Sequence, residues 1–437
     1  MRAEDAPEPP DHYRLTCTLC GGQLHDDGLM LECQKGHEPA LLRTTYTKSR
    51  FEPDNGISGI FRYRDWLPVS RTVHDAGRSV VYRSRHLAKS LGLSNLWVAF
   101  NGYWPERAAI LETATFKELE AHTVLGRLPP AHSMLSVASA GNTGAAFALL
   151  CSRDNTPCLI IIPQRALQRF RFRDHLNPCV RIVTVAGEYP DAIAFADMLA
   201  VAGGFYSEGG AKNVGRRDGL GTVLLSAFEE IGTLPDLYFQ AVGSGTGGIA
   251  VHEAALRLRQ ATDHSAALPR LMLCQNMPFT PIYESWRLRQ RSLISKTAED
   301  FRLETTQVRA DELTNWTPPY GISGGVYDAL TESGGDVLVA NNLSTQAAID
   351  LFLETEGIDI EPAAGVALSC LRDAVIQGRV PTDSIILLNV TGGGRKRLEQ
   401  DSTLFHATPD VHLSAESLRS GESVDRVLEL VTARPTR

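Results

Sequence analysis

The sequence predicts an α/β protein with parallel-type sheets arranged in two lobes. Short apolar runs rich in β-branched residues alternate with segments of helical pattern, which is typical of parallel strands joined by crossover helices. Several runs show no alternation of apolar and polar residues, as expected when helices cover both faces of a sheet. The candidate strands are residues 96–100, 134–137, 159–162, 181–185, 237–242, 271–274, 337–340 and 385–390. This is more than one compact sheet holds, so two lobes are expected.

Amphipathic segments between these strands indicate the helices. The predicted helices are residues 222–231, 345–356, 363–376 and a terminal helix at 423–431. The first ends at Gly232, a residue type that commonly follows the end of a helix. The polar tail from residue 399 is predicted to be a surface extension, with Ser423 as the N-cap of its helix.

The composition excludes several classes of protein. The chain has 437 residues, of which 43% are hydrophobic and 22% charged, as in folded globular proteins. Its net charge of −8 argues against nucleic-acid binding as the main role, because phosphate backbones require a basic surface. No apolar run reaches the roughly 18 residues of a membrane span, and the acidic start lacks the apolar core of a signal peptide. Eight cysteines are too few for a disulfide scaffold, so we expect a reduced, cytoplasmic protein.

Residues 1–45 are predicted to hold a disordered, Pro-rich tail over residues 1–12 and a small zinc-ribbon-like module. The module has four potential metal ligands with the spacing C-x2-C-x12-C-x3-H: Cys17, Cys20, Cys33 and His37. Three thiolates and one imidazole can close a tetrahedral zinc site, which leaves no open position for catalysis. The first half, CxxCGG, is specific, whereas the second departs from the repeated CxxC of ribbons. A structural zinc ion is expected, with a metal-free remnant of a ribbon as the alternative.

Three glycine-rich loops follow predicted strands. They are Ser139-Ala140-Gly141-Asn142-Thr143-Gly144, Gly243-Ser244-Gly245-Thr246-Gly247-Gly248 and Thr391-Gly392-Gly393-Gly394. Open α/β sheets bind ligands beyond the carboxyl ends of their strands, where each of these loops lies. The loops are therefore candidate ligand-binding segments.

The loop at 243–248 is the best candidate for binding a phosphate. Its glycines let the backbone curl around an anion, and the following helix supplies free N–H groups and the positive end of its dipole. The loop departs from dinucleotide-binding GxGxxG turns and lacks the acidic residue expected about 20 residues further on. No Gly-Lys-Ser/Thr follows, which excludes a P-loop. The alternative is a tight turn before a helix.

Lys117 is predicted to open a helix, with Thr115 as its N-cap. The helix dipole disfavours a lysine at this end unless another interaction holds it. A Schiff base would remove the conflict, because the amine then becomes part of an imine. A solvated surface lysine is the alternative.

Together these elements resemble the fold-type II family of pyridoxal-phosphate enzymes over most of residues 55–400. The resemblance is strongest to the threonine synthase branch, which often carries an N-terminal ribbon, and within it to the cysteate synthases. The segments that carry it are FRYRDWLPV (61–69), TATFKELEA (113–121), SAGNTG (139–144) and PYGISGGV (319–326). The resemblance implies a two-lobed, tryptophan synthase β-like architecture, with a large pyridoxal-phosphate domain at 46–125 and 235–437 and a small one at 126–234.

The resemblance also implies roles for individual residues. Lys117 matches the catalytic Schiff-base lysine, Asn142 the asparagine that hydrogen-bonds the cofactor's phenolic oxygen, and Thr391 the hydroxyl beside the pyridine nitrogen. The residues that match the cofactor phosphate loop are Gly243, Ser244, Gly245, Thr246, Gly247 and Gly248. The residues that match the grip on the substrate carboxylate are Ser139, Gly141, Thr143 and Thr115.

The implied reaction is a β-replacement that forms L-cysteate and phosphate from O-phospho-L-serine and sulfite. Lys117 would act as the general base at Cα. The alternatives are threonine synthase activity on O-phosphohomoserine, another nucleophile adding to the aminoacrylate, a non-catalytic protein and a nicotinamide oxidoreductase. We expect small-molecule substrates and a homodimer or higher homo-oligomer, and neither a nucleic-acid nor a membrane partner.

Two anionic substrates would require a local basic patch in this acidic protein. The run 165–173 has i, i+4 spacing, which predicts that Arg165, Arg169 and Arg173 share one helix face. Arginine suits the oxygens of phosphate and sulfonate groups, and the loop 212–217 adds further cations. The candidate substrate-binding cations are Arg165, Lys212 and Arg216. The alternative is an ordinary solvated basic surface.

Overall fold

The computed structural model of the chain describes residues 11–130, 132–262 and 264–432. The predicted disordered tail, residues 1–12, lies outside the described residues except for Asp11 and His12. Within the described ranges, no helix has the length and apolar character needed to cross a membrane.

The described part of the chain contains all of the predicted strands, each within a residue or two of its expected bounds. The strands are β1 (Tyr13–Cys17), β2 (Gln23–Leu24), β3 (Leu42–Tyr46), β4 (Val80–Arg83), β5 (Leu96–Phe100), β6 (Tyr103–Trp104), β7 (Ala109–Ile110), β8 (Met134–Ala138), β9 (Cys158–Pro163), β10 (Arg171–Phe172), β11 (Val180–Val185), β12 (Phe205–Ser207), β13 (Leu237–Ala241), β14 (Arg270–Asn276), β15 (Asp336–Ala340), β16 (Ile386–Val390), β17 (Phe405–His406) and β18 (Val411–Leu413).

Helices connect these strands. They are α1 (His86–Leu91), α2 (Lys117–Arg127), α3 (Asn142–Asp154), α4 (Tyr189–Ala202), α5 (Val214–Ile231), α6 (Thr246–Thr262), α7 (Pro281–Arg287), α8 (Ala298–Gln307), α9 (Val326–Ser333), α10 (Asn342–Glu356), α11 (Pro362–Ile376), α12 (Arg395–Asp401) and α13 (Gly421–Thr432). The predicted helices at 345–356 and 363–376 are confirmed as α10 and α11, and 222–231 is the second half of α5. Because α13 begins at Gly421, Ser423 lies inside this helix and is not its N-cap.

The larger sheet has six strands in the order β15-β14-β13-β16-β5-β4. Neighbouring strands are parallel except β4, which pairs antiparallel with β5 at one edge. Every residue of β13 and β16 is buried. Strands buried on both faces contain continuous apolar runs, which is why the sequence revealed them without any alternation.

The smaller sheet has five parallel strands in the order β12-β8-β9-β11-β18. The two sheets confirm the predicted two-lobed α/β fold. The edge strand β18 comes from the tail, whose predicted surface position was wrong here: Val411 and Leu413 are buried beside β11, and Val427 of α13 joins the same core. The proposed small domain, 126–234, therefore receives strand β18 from the segment 235–437. The other proposed domain boundaries stay a proposal.

The ribbon, residues 13–46, is a separate three-stranded antiparallel sheet in which β1 pairs with both β2 and β3. It packs on the body of the protein at Asp218 of α5, whose carboxylate accepts hydrogen bonds from Thr44 at 2.6 Å and from Tyr46 at 2.7 Å. Two short antiparallel pairs, β6 with β7 and β10 with β17, complete the strand pairing in the described residues.

Candidate active site

The three predicted loops meet at one cavity of about 920 Å³ that is lined by segments of both lobes. It lies beyond the carboxyl ends of β8, β13 and β16, the position at which open α/β sheets bind ligands. Residues 139–143, residues 243–247, Thr391 and Lys117 all line this cavity. The structure thus brings the lysine and the loops together.

Lys117 is the first residue of α2, as predicted, but the residue before the helix is Phe116, so Thr115 is not the N-cap. Thr115 is buried and does not line the cavity. The first turn of α2 carries Glu118 and Glu120, and negative side chains are favourable at this end of a helix. These carboxylates, rather than a cap, offset the unfavourable position of the lysine.

The Lys117 amine lies 3.4 Å from a carboxylate oxygen of Glu120. Burial lowers the pKa of the Lys117 amine, and the negative charge of Glu120 partly opposes that shift. A lower pKa increases the fraction of neutral amine, the form that attacks a carbonyl carbon. The position therefore fits covalent attachment of an aldehyde.

Glu120, which the sequence analysis did not single out, joins this lysine to a buried ion-pair network. Its side chain is 0% exposed, accepts a hydrogen bond from Thr143 at 2.9 Å and lies 3.4 Å from the Arg216 guanidinium. Arg216 in turn donates two hydrogen bonds to Glu208, at 2.6 and 2.8 Å. Burial raises the pKa of Glu208, and Arg216 opposes that shift. The i, i+3 spacing of Lys117 and Glu120 is the one sequence signal that could have suggested their contact.

The loop 243–247 forms a backbone cradle at the N-terminus of α6. Gly245 has a φ of +80°, and a Cβ at this position would overlap Val326. The glycines at 243, 245 and 247 keep the backbone of this turn open, so N–H groups of the first turn of α6 can face an anion, and the hydroxyls of Ser244 and Thr246, 2.8 Å apart, lie in the same turn. Gly248, the last residue of the predicted loop, lies inside the helix and does not line the cavity.

Asn142 begins α3 and presents its amide to the cavity. Its Nδ2 donates to Glu361 at 3.1 Å, and its Oδ1 is buried without a hydrogen-bond partner among the described residues. An unsatisfied buried polar atom costs about 1–3 kcal/mol, so a hydrogen bond from a ligand at this position would be favourable. Because Nδ2 faces the Glu361 carboxylate, the open Oδ1 serves a ligand donor, and a ligand acceptor would share the second N–H of Nδ2 with Glu361.

The loop before α3 is shaped by Ser139, whose hydroxyl accepts hydrogen bonds from the N–H groups of Gly141 and Gly144 at 3.0 and 2.8 Å. The hydroxyl of Thr143 is engaged with Glu120. These side chains hold the loop, and the free N–H groups in the first turn of α3 are the groups available to a carboxylate.

Thr391 is buried at the wall of the cavity. Its carbonyl oxygen accepts a hydrogen bond from the N–H of Phe116, at 2.9 Å, and Thr115 forms a backbone bridge with Gly392. The third loop and the residues just before Lys117 are therefore fixed relative to each other.

The predicted substrate-binding cations are all paired with carboxylates. The pairs are Lys212 with Glu32, Arg216 with Glu208, and Arg165 with Glu188. Lys212 and Arg216 line the cavity, whereas Arg165 does not. The structure therefore places two of the three candidates at the site, and both have a partner there.

The run 165–173 is not one helix, so the prediction of a shared basic face was wrong. Gln164–Arg169 is a short 3-10 helix, and the chain then enters β10. Phe170 and Phe172 are both buried, and this period of two favours an extended path over a helix. Arg169 instead pairs with Asp311 of the other lobe.

Two further carboxylates that the sequence analysis missed, Glu312 and Glu361, line the cavity. Burial raises the pKa of Glu312 to about 7, with Arg169 opposing the shift and Glu361 adding to it. Glu361 precedes α11 and accepts hydrogen bonds from Asn142 and Arg395, both at 3.1 Å. The position of Glu361 two residues before the predicted helix 363–376 was the available sequence signal.

The four predicted metal ligands come together in the ribbon, with all ligand atoms within 4.8 Å of one another. The sulfurs of Cys20 and Cys33 are 3.9 Å apart, and that of Cys17 lies 3.4 Å from Nε2 of His37. A tetrahedral site with Zn–S bonds of ~2.3 Å has edges of about 3.8 Å, so the spacing fits a zinc ion. His37 Nδ1 bonds the carbonyl oxygen of Glu38 at 2.6 Å, which leaves Nε2 as the ligand atom.

Comparison with known proteins identifies one family. Residues 77–392 match the family described as pyridoxal-phosphate dependent enzyme. The chain is 44% identical over 394 residues to a cysteate synthase of Methanocorpusculum labreanum, covering 89% of this chain and 94% of that protein. It is 42% identical over 402 residues to a cysteate synthase of Methanosarcina barkeri, covering 91% of this chain and 96% of that protein.

Solved structures share the fold at low identity. Maize serine racemase is 17% identical with a TM-score of 0.54, and the match covers 74% of this chain and 91% of the racemase. The processed form of threonine deaminase isoform 2 from Solanum lycopersicum is 16% identical with a TM-score of 0.55, and the match covers 74% of this chain and 81% of the deaminase. At these identities the likeness concerns the fold alone.

The cavity fits pyridoxal phosphate in three respects. Burial lowers the pKa of the Lys117 amine, the cradle at 243–247 offers backbone N–H groups to a phosphate, and Asn142 has one open hydrogen-bonding position. An aromatic aldehyde with a phosphate arm needs these same three contacts.

Proposed function

The chain belongs to the pyridoxal-phosphate dependent enzyme family, and on this premise we propose that it is a cysteate synthase. In the proposed reaction, O-phospho-L-serine and sulfite give L-cysteate and phosphate. One observation carries the proposal. In a chain 44% identical to a cysteate synthase, a half-buried lysine amine and a glycine cradle open on the same cavity.

Lys117 is the residue that moves protons. The bound cofactor supplies an electron sink that stabilises negative charge at Cα of the amino acid. Lys117 holds the cofactor and, when its amine is free, removes the Cα proton and later returns it. Phosphate leaves Cβ with the electron pair of the broken C–O bond, and the sulfur of sulfite supplies the pair of the new C–S bond. Glu120, 3.4 Å away, stabilises the ammonium form of Lys117 between the two proton transfers.

The remaining cofactor contacts follow from the cavity wall. We assign the cofactor phosphate to the cradle at 243–247, the phenolic oxygen to Asn142 and the ring nitrogen to the hydroxyl of Thr391. A neutral hydroxyl does not protonate the ring nitrogen, and the weaker electron sink favours departure of a β-substituent over transamination.

The substrate carboxylate is assigned to the start of α3. The loop held by Ser139 and Gly141 and the first-turn N–H groups near Thr143 form a second anion site, distinct from the cofactor cradle. Lys212, which is half exposed and lines the cavity, is our candidate for the substrate phosphate. Arg216 acts through Glu120 and Glu208, and Arg165 lies outside the site.

The experiment is an assay of the purified holoenzyme with O-phospho-L-serine, with and without sulfite. Phosphate release is measured and the amino-acid product is identified by mass. We expect sulfite-dependent formation of cysteate. Parallel reactions with O-phosphohomoserine test the nearest alternative, and formation of threonine without sulfite would make the protein a threonine synthase.

Two other outcomes would also redirect the assignment. Phosphate release from O-phospho-L-serine with incorporation of a different nucleophile would keep the β-replacement and change the product. Purified protein without the visible absorbance band of the cofactor, and unable to gain it from added pyridoxal phosphate, would support a non-catalytic protein.

We further propose that the protein acts in the cytoplasm as a homodimer or higher homo-oligomer. Its small number of cysteines supports a reducing compartment, and its net charge of −8 supports small-molecule substrates over nucleic acid. Light scattering of the purified protein measures the oligomeric state directly.

A further inference from the structure

The ribbon reaches into the active-site cavity. Leu29, Leu31, Glu32 and Leu41 all line it, although none of them belongs to the lobes that carry the lysine and the glycine loops. We propose that the segment 29–32, hereafter the ribbon wall, is the outer wall of the active site and sets the length of the substrate side chain that the cavity retains. This inference rests on the proposed function.

The ribbon wall is tightly held by the helix that begins with the catalytic lysine. Arg127, at the far end of α2, donates two hydrogen bonds to Asp26, both at 2.7 Å, and a third to the carbonyl oxygen of Met30, also at 2.7 Å. The Arg127 and Asp26 side chains are each only 1% exposed. A buried, bidentate ion pair fixes geometry far better than an exposed one. The wall is thus part of a rigid structure that includes α2.

The wall also contacts the small lobe at the mouth of the cavity. Tyr206 donates to the carbonyl oxygen of Leu29 at 3.2 Å. The Leu31 side chain packs on Gly209, where an added Cβ would lie 2.5 Å from a Leu31 methyl carbon. Glu32 pairs with Lys212 beside this contact. Leu31 is therefore the apolar side chain that closes this side of the cavity.

The predicted metal site determines where the wall ends. Cys33 directly follows Glu32, so a metal ion bound by the four clustered ligands fixes that end of the segment. The ribbon also holds the opposite rim, because Thr18 and Leu41 each hydrogen-bond the carbonyl oxygen of Ser323 at 2.9 Å. The ribbon, anchored by its metal cluster, accordingly shapes the cavity wall.

The experiment measures binding rather than turnover. L-2-amino-4-phosphonobutyrate replaces the ester oxygen of O-phosphoserine with carbon, and L-2-amino-5-phosphonopentanoate is longer by one methylene, so neither can lose phosphate. Their dissociation constants are taken from the change in cofactor absorbance of the holoenzyme. We expect Leu31→Ala to weaken binding of the shorter analogue about tenfold and to reduce the preference for it over the longer one. The cofactor band should be unchanged.

Leu19→Ala is the matched control, because Leu19 is an exposed leucine of the same ribbon that does not line the cavity. It should bind both analogues like the wild type. Equal behaviour of Leu31→Ala and Leu19→Ala would overturn the proposal.

Cys33→Ser tests the metal cluster independently. We expect loss of bound zinc by elemental analysis, an intact cofactor band and weaker binding of the shorter analogue. Wild-type binding in a zinc-free Cys33→Ser protein would refute the role of the cluster, and if this variant does not fold, Leu31→Ala still decides the question. Failure of the proposed function would be visible separately, as a wild-type protein that makes no cysteate.

Discussion

The cofactor end and the substrate end of the cavity are constructed differently. The cofactor end is built from short segments that each follow or begin one element: the cradle at 243–247 and the loop at Thr391 come just after buried strands, and Lys117 and Asn142 begin helices. The substrate end adds to the N–H groups at the start of α3 ion pairs between side chains of distant segments, among them Arg216 with Glu120 and Lys212 with Glu32. A backbone cradle depends on local sequence, whereas paired side chains depend on tertiary structure.

This difference determines how each end receives an anion. At the cofactor end, the first-turn N–H groups of α6 have no intrahelical acceptor; that of Thr246 donates to the Ser244 hydroxyl at 3.3 Å, and those of Gly247 and Gly248 remain for a phosphate. At the substrate end, the described cations that line the cavity, Lys117, Lys212 and Arg216, each have a carboxylate within hydrogen-bonding distance. An anionic substrate must therefore share these cations with the protein's own carboxylates, which favours a substrate of the right shape over any small anion.

The largest effect is expected at the residue that serves both ends. Lys117→Ala should abolish the visible band of the bound cofactor and lower turnover at least about ten-thousandfold, because it removes both the covalent attachment and the proton carrier. Absorbance spectra and single-turnover assays measure these effects. The control is Lys89→Ala, an exposed lysine on α1, which should behave like the wild type. A retained band in Lys117→Ala would reject the assignment.

The second prediction compares two arginines nominated from the same sequence argument. Arg216→Met leaves the buried carboxylate of Glu208 without its cation and leaves Glu120 with Lys117 alone, and the free energy of unfolding should fall by about 3–5 kcal/mol. Arg165→Met removes a partly exposed pair with Glu188 and should cost at most about 1 kcal/mol. Urea denaturation of both variants tests the difference. Similar losses would mean that the substrate end is not held by its buried ion pairs.

The third prediction concerns the pH dependence of cofactor loading. The negative charge of Glu120 raises the pKa of Lys117 against the lowering effect of burial, so Glu120→Gln should lower that pKa further. Because the neutral amine reacts, loading of the apoenzyme with pyridoxal phosphate should reach its half-maximal rate at a lower pH than in the wild type. The rise of visible absorbance after mixing at a series of pH values measures this rate.

Glu118→Gln is the matched control for that experiment. Glu118 is also buried in the first turn of α2, where burial raises its pKa to about 7, but it accepts hydrogen bonds from Thr113 and does not line the cavity. Glu118→Gln should therefore leave unchanged the pH at which the rate of cofactor loading is half-maximal. A curve for Glu120→Gln that is unchanged, or displaced to higher pH, would contradict a direct influence of Glu120 on the lysine.

The cofactor end was predictable because its signals are local. A buried parallel strand followed by glycines specifies the position of a loop at a sheet edge, and the positive φ of Gly245 is itself a local reason for glycine, to which the contact with Val326 adds a tertiary one. Lys117 was identified in the same way, from its position at the start of a helix. Thr115 was misassigned as the N-cap because the loop of Thr391 holds that turn by a backbone bridge, which is a tertiary contact.

The substrate end could not be predicted to the same extent. Glu120 and Arg216 are far apart in sequence and meet only when α2 and α5 pack together, and no composition rule pairs them. Arg165 was chosen from a helical spacing that the alternating Phe170 and Phe172 override. The ribbon wall at 29–32 carries no motif at all, and its place in the cavity follows from the docking of a separate module.

The smallest effect is expected at the rim, and it tests whether substrate and protein compete for one cation. Glu32→Gln removes the partner of Lys212 in a half-exposed pair, so Lys212 becomes available to a phosphonate. Binding of L-2-amino-4-phosphonobutyrate should tighten about threefold, in line with the small energies of exposed pairs, and the gain should shrink as salt is added. Glu38→Gln removes an exposed ribbon carboxylate that does not line the cavity. It should change neither the affinity for the phosphonate nor the dependence of that affinity on salt. Weaker binding in Glu32→Gln would show instead that this carboxylate positions Lys212 for the substrate. In that case the ion pairs of the substrate end would orient the cations as well as stabilise the fold.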